Sequence, residues 1–164
     1  VLALGPQRER LYCLRDHITI AIGAKGVPLK MDVAVPLDRL ELMVERVRSA
    51  VSDVQGASLI VFGPLAEGNL HVNVLGANHM ATQVSEAVLS TALELGGTIS
   101  AEHGIGIAKS PFLRLQHSPA EIGAMLAVKR ALDPNNILAP GQIFEPLNVW
   151  EHRPVKVTLD WDKH

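Results

Sequence analysis

The sequence has a single cysteine, Cys13, so it forms no internal disulfide, and it has no CxxC pair to offer as a thiolate metal site. A lone thiol suits a reducing compartment, and the expectation is a cytoplasmic protein, or one of the mitochondrial matrix if the source is eukaryotic. No apolar run approaches the roughly 18 residues needed to cross a bilayer, and the expectation from the opening residues is that they do not form a signal peptide. There is no excess of positive charge: the formal net charge is −2 and the basic residues are scattered. That argues against a nucleic-acid partner. Internal repeats and low-complexity stretches are missing as well.

What remains is 164 residues, 48% hydrophobic and 20% charged, which is ordinary for one globular domain with a real core. The chain opens at Val1 rather than at a methionine, and the expectation is a piece of a longer protein.

Residues 8–24 carry Leu11, Leu14, Ile18 and Ile22 at helical spacing, and Cys13 on this helix reads as a small buried hydrophobe. "LKMDVAVP" alternates as a strand. Residues 37–53 place Leu40, Met43, Val44, Val47 and Val51 on one helical face. "ASLIVFGPL" and "LHVNVLG" read as two strands of a hairpin around the turn Glu67-Gly68-Asn69. A helix follows, capped by Asn78 and striped by Met80, Val84, Val88, Ala92 and Leu95, and then a short strand, "TISAE". One helix is thus followed by strand-helix-strand-strand-helix-strand. This is the pattern of a ferredoxin-like α+β fold, an antiparallel sheet with helices on one face. Ser118-Pro119-Ala120-Glu121 is a capping box that opens a further helix with a core face of Ile122, Met125, Leu126 and Leu132, ended by Asp133-Pro134. The expected division is 8–116 as the main domain, 117–144 as a helix and loop, and 145–164 as a tail with no assigned role.

Three groups of residues could carry chemistry. The first is "AEHGIG". Glu102 and His103 are adjacent, so in an extended segment they point to opposite sides. They meet in one site only where the strand ends and the backbone turns, which Gly104 and Gly106 permit. A histidine titrates near neutral pH and suits proton abstraction, and a carboxylate can bind a metal or orient an imidazole. Taken alone, the dipeptide reads more readily as a polar strand end before a glycine turn. The second group is His71 and Asn73, whose i,i+2 spacing puts both on the sheet face opposite Val72 and Val74. The third is Arg15 and Thr19, which share a helical stripe and could grip a carboxylate. Lys30 opens the first strand.

Together "LRDHITIAIGAKGVPLKMDVAVP", "GNLHVNV", "SAEHGIGIAKSPFL" and "MLAVKRALDPNNILAPGQIF" resemble the C-terminal part of flavin-dependent 2-hydroxyacid dehydrogenases. The resemblance runs from about residue 10 to residue 144 and implies the following expectations. The chain is a substrate-binding cap. An N-terminal flavin domain carries FAD, and residues 117–144 return to it. A D-2-hydroxy acid is oxidised to the 2-oxo acid, and a redox acceptor takes the electrons onward. His103 matches the base, and Arg15, Thr19 and Lys30 match substrate carboxylate binders. Asn73 lines the same pocket, and His71 and Glu102 match two ligands of a divalent metal such as zinc. Where metal-containing relatives have a further histidine, within "GHLGDGNLH", this chain has Pro64, which has no side-chain donor atom. Where the family reads "LNPGK", it has "LAPGQ", with Ala139 and Gln142 as the changes. Without a flavin domain the chain is expected neither to hold FAD tightly nor to turn over alone. Two other readings stay open at this stage. One is a degenerate, non-catalytic cap that binds a small ligand or a protein. The other is a ferredoxin-like regulatory domain forming a homodimer through its sheet.

Overall fold

Alternation of side chains along three strands decides the architecture. The computed structural model describes residues 5–144. Strand β1 (Leu29–Ala34), β2 (Ser58–Phe62) and β3 (Asn69–Leu75) form an antiparallel sheet in the order β1-β3-β2. Met31 and Val33 on β1 and Leu70, Val72 and Val74 on β3 are all buried. Two helices cover that face, α2 (Leu40–Ser52) and α3 (Ala81–Glu94). Met43, Val47 and Val51 of α2 and Val84, Val88, Leu89 and Ala92 of α3 complete the core. The opposite face of the sheet carries the alternate residues, which are mainly polar on β1 and β3. In register Lys30 faces Asn73, Asp32 faces His71, and Ala34 faces Asn69. From the other side Ile60 and Phe62 of β2 face Asn73 and His71.

The arrangement is the expected ferredoxin-like one, but its fourth strand is reduced. "TISAE" contributes one bridge, Thr98 to Ala34, at the outer edge of β1. The backbone donors that would have extended the ladder are used elsewhere. The Ile99 N–H donates to the Gln116 side chain at 2.9 Å, and the N–H groups of Glu102 and His103 donate to Asp32. Asn78 does not cap α3: residues Asn78–Met80 form a 3-10 turn and the helix starts at Ala81.

The first helix, α1 (Pro6–Lys25), buries only Ile22 of its expected stripe. Leu11 and Leu14 are 58% and 69% exposed, and Cys13 is exposed rather than buried. After the short helices α4 (Gly106–Lys109) and α5 (Leu113–Gln116) comes α6 (Pro119–Leu132), which starts with the expected capping box. Its apolar stripe does not join the core, and no residue of α6 is buried. Among the described residues that stripe is covered only in part: Ile122 and Leu126 are half-buried, and Met125 and Leu132 are exposed. The expected tail, 145–164, lies outside the described residues.

Asp133 ends α6 and is itself buried. Its carboxylate accepts from the Lys129 ammonium and from the N–H groups of Ile137 at 3.0 Å and Leu138 at 2.9 Å. The Lys129 hydrogen bond holds its pKa below the ordinary value against the opposing effect of burial, with the two N–H groups adding to the effect. The folded form therefore binds its last proton later than the unfolded chain does as pH falls. The stabilisation is complete above about pH 4 and is lost as pH falls through the folded value. Amide exchange at Ile137 and Leu138 is expected to lose protection in that acid range, and Asp133→Asn is expected to lose much of it already at neutral pH. Hydrogen exchange followed by NMR reads both.

Candidate functional site

The polar face of the sheet gathers most of the residues that the sequence singled out. Thr19, Lys30, Met31, Phe62, His71, Asn73 and His103 line one cavity of about 140 Å³. That is the volume of about five water molecules, enough for a small acid. A larger, mainly apolar cavity of about 710 Å³ lies among the end of α1, the start of β1 and α3. It shares Lys30 and Met31 but contains none of His71, Asn73 or His103, so the polar chemistry belongs to the smaller cavity.

Each group arrives by a different route. Lys30 and Asn73 are cross-strand partners on β1 and β3, and Asn73 Nδ2 donates to the His71 carbonyl at 3.2 Å. Thr19 reaches the cavity from α1. His103 comes from the loop after the Thr98 bridge. Gly104 and Gly106 follow it with φ of 69° and 55°, a left-handed backbone that side chains disfavour. This double turn explains the glycine pair: it lets the chain reverse directly after His103 and enter α4.

Asp32 organises this loop. It is 2% exposed, and its Oδ2 accepts the N–H of Glu102 at 2.7 Å and of His103 at 2.9 Å. Lys109, at the end of α4, donates its ammonium to the Asp32 carbonyl at 2.8 Å. Burial alone would raise the Asp32 pKa. The N–H groups of His103 and Glu102, with the charges of His103 and Lys109, more than offset it and hold the carboxyl below the usual range. Burial pushes the Lys109 ammonium down from its usual value, and Asp32 partly restores it.

His71 sits between aromatic neighbours. Its ring stacks on that of His103, with centroids 5.2 Å apart and planes 9° apart, and Phe62 leans against it at 5.1 Å.

Two expected residues do not join the cavity. Arg15 is one turn before Thr19, but its side chain is 66% exposed and pairs with Asp16 at 2.8 Å, with the guanidinium over the Tyr12 ring. Glu102 turns to Asn69, whose Nδ2 donates to its carboxylate. Pro64 precedes the 3-10 turn Leu65–Glu67. The three donors that do come within 4.8 Å of one another are Asp32, His71 and His103. This group fits a divalent ion poorly. One oxygen of Asp32 is held by two backbone N–H groups, and the Lys109 ammonium is 3.8 Å from it. That leaves only Oδ1 of Asp32 free for an ion, beside a buried ammonium that repels one, and no step proposed for these residues runs through a metal.

Asp32 and Phe62 were not singled out by sequence reasoning. The signal for Asp32 was present: an acid inside an apolar alternation, two residues from Lys30, shares its sheet face.

Comparison with known proteins places this geometry in context. The family model described as FAD linked oxidases, C-terminal domain, matches residues 4–143. The D-2-hydroxyglutarate dehydrogenase of Stutzerimonas stutzeri is 34% identical over 147 residues, covering 84% of this chain and 32% of the relative. The glycolate oxidase subunit GlcD of Bacillus subtilis is 35% identical over 149 residues, covering 83% of this chain and 31% of the relative. The mitochondrial D-2-hydroxyglutarate dehydrogenase of Arabidopsis thaliana is 29% identical, covering 84% of the chain and 25% of the relative. The chain thus spans between a quarter and a third of the length of these relatives. Among the described residues, no helix is long and apolar enough to cross a membrane.

Proposed function

This chain belongs to the family of FAD-linked oxidase C-terminal domains, and from that membership we propose that it is the substrate-binding part of a flavoprotein that oxidises a D-2-hydroxy acid to the 2-oxo acid. The observation that carries the reading is the single small cavity in which a lysine, a threonine, an asparagine and two imidazoles converge. The cavity is of a size to take a small acid. The chain spans only a quarter to a third of the length of its relatives, and FAD, which supplies the hydride acceptor, is assigned to the remainder of the enzyme. Residues 117–144, with the partly covered stripe of α6, form the segment that returns to that part.

The residues of the chain divide the work. Lys30 attracts the substrate carboxylate, and Thr19 and Asn73 add neutral hydrogen bonds that fix its orientation. The bound acid then presents its hydroxyl to His103. In its neutral form His103 accepts the hydroxyl proton as hydride leaves the adjacent carbon. His71 supports the His103 ring by stacking. Arg15 is assigned to the same end of the substrate only if its side chain leaves Asp16. The departures Pro64, Ala139 and Gln142 favour a second reading, a cap that binds ligand without catalysis. Ala139 has a left-handed φ of 45°, a conformation that asparagine, the residue usual in the family, tolerates better.

A screen of 2-hydroxy acids against the complete flavoprotein, with flavin bleaching as the signal, tests the function. Reduction by D-2-hydroxyglutarate, D-lactate or glycolate supports catalysis, and binding without bleaching supports the second reading. Lys30→Gln is expected to raise KM about 10- to 100-fold, the worth of a hydrogen bond to a charged group, with a much smaller change in kcat. Steady-state kinetics of the variant checks this.

A further inference from the structure

Asp32 lies outside the ligand set implied for this family, yet it touches both imidazole-bearing segments of the site. Its Oδ2 is accounted for by the two backbone N–H groups of the Glu102-His103 turn. Its Oδ1 is not. It lies 3.2 Å from Nδ1 of His71, the residue directly opposite in the β1–β3 register. Both atoms are buried and neither makes a hydrogen bond at the present ring angle. Burying two such atoms unpaired is costly. A proton on Nδ1 and a rotation of the imidazole about its Cβ–Cγ bond satisfy both at once, with a charge-assisted bond.

We propose that Asp32 is the positioning residue of the site: one carboxylate fixes the backbone of His103 and holds His71 as the Nδ1–H tautomer. The ring of His71 then presents an unprotonated Nε2, and its plane is set. At the present ring angle the two imidazoles stack with 9° between their planes, so a turn of His71 toward Asp32 carries the plane of His103 with it. Lys109 completes the unit: its side chain is only 9% exposed, and its ammonium lies beside the carboxylate and neutralises it without occupying Oδ1. A carboxylate that locks a histidine through its second nitrogen is a general device for fixing tautomer and orientation. The positioning role rests on the function proposed above for His103, whereas the tautomer of His71 is independent of it.

The test is performed on the complete protein labelled with ¹⁵N at histidine. In the wild type, His71 is expected to show a protonated Nδ1 and an unprotonated Nε2. In Asp32→Asn the amide oxygen turns to the two backbone N–H groups, so the NH₂ faces His71. Nδ1 must then accept, and the tautomer is expected to reverse. The same variant is expected to lower kcat about 10- to 100-fold with little change in KM, whereas a simple loss of folded protein would lower the active fraction alone. A wild-type His71 protonated on Nε2 overturns the proposal, and so does an unchanged tautomer in Asp32→Asn. Should the variant not fold, the wild-type spectrum still decides. An Nδ1–H tautomer in a protein that oxidises no 2-hydroxy acid would remove the dehydrogenase reading and leave the pairing of Asp32 with His71 standing.

Discussion

In the complete enzyme, His103→Asn is expected to lower kcat by about 10²- to 10⁴-fold, the usual worth of a positioned general base, while KM for the hydroxy acid changes little. The reason lies in how His103 is held. Its backbone N–H is bound by Asp32, a contact the substitution leaves intact, and the following glycines keep the turn. Asparagine is close in size and can still meet a hydroxyl, but it cannot take up a proton at neutral pH. The loss should therefore fall on the chemical step. Rapid-mixing measurement of flavin reduction under single-turnover conditions isolates that step from product release. A rise in KM at unchanged kcat would make His103 a binding group instead.

Gly97→Val is expected to destabilise the fold by at least about 3 kcal/mol, because it drives a side chain into backbone on two sides. A Cβ at Gly97 would lie 2.1 Å from the carbonyl oxygen of Ala34 and 2.8 Å from that of Ala92. Neither oxygen is free to retreat. That of Ala34 accepts the Thr98 N–H at 2.8 Å, and that of Ala92 accepts the N–H of Gly97 itself at 2.8 Å. Relieving the clash breaks the bridge that ties residues 98–103 to the sheet edge, so His103 loses its approach to the cavity along with the stability. A drop in melting temperature of about 10 °C is expected for a chain of this size. Gly96→Ala is the contrast. Its Cβ meets only the Pro36 ring at 4.0 Å, although φ is 78°, so strain of about 1–2 kcal/mol is the whole expected cost.

How much of this was legible in the sequence depends on the range of the interaction. Strict alternation in "LHVNV" separated Val72 and Val74 from His71 and Asn73, and the sheet uses both faces as that pattern requires. The same rule applied to "LKMDV" places Lys30 and Asp32 on the polar face. The register that brings Asp32 opposite His71 is a long-range pairing that alternation alone does not specify. Helical spacing correctly put Arg15 and Thr19 on one stripe of α1. It carried no information on how far along the helix the sheet extends, and only Thr19 reaches the cavity. The capping box at Ser118 is local and formed as written. The stripe of α6 behind it was legible as apolar, but the described residues cover it only in part. The strand expected at "TISAE" failed for a definable reason: the Gln116 and Asp32 side chains compete for its backbone donors, and neither competitor is close in sequence.

The most direct measurement is a crystal structure of the complete enzyme with D-2-hydroxyglutarate bound and the flavin reduced, so that the acid is not consumed. The substrate hydroxyl is predicted to lie within about 2.6–3.2 Å of a ring nitrogen of His103, with a carboxylate on Lys30 and the cavity between β1, β3 and Thr19 filled. An acid bound away from these residues, with that cavity empty, would contradict the account.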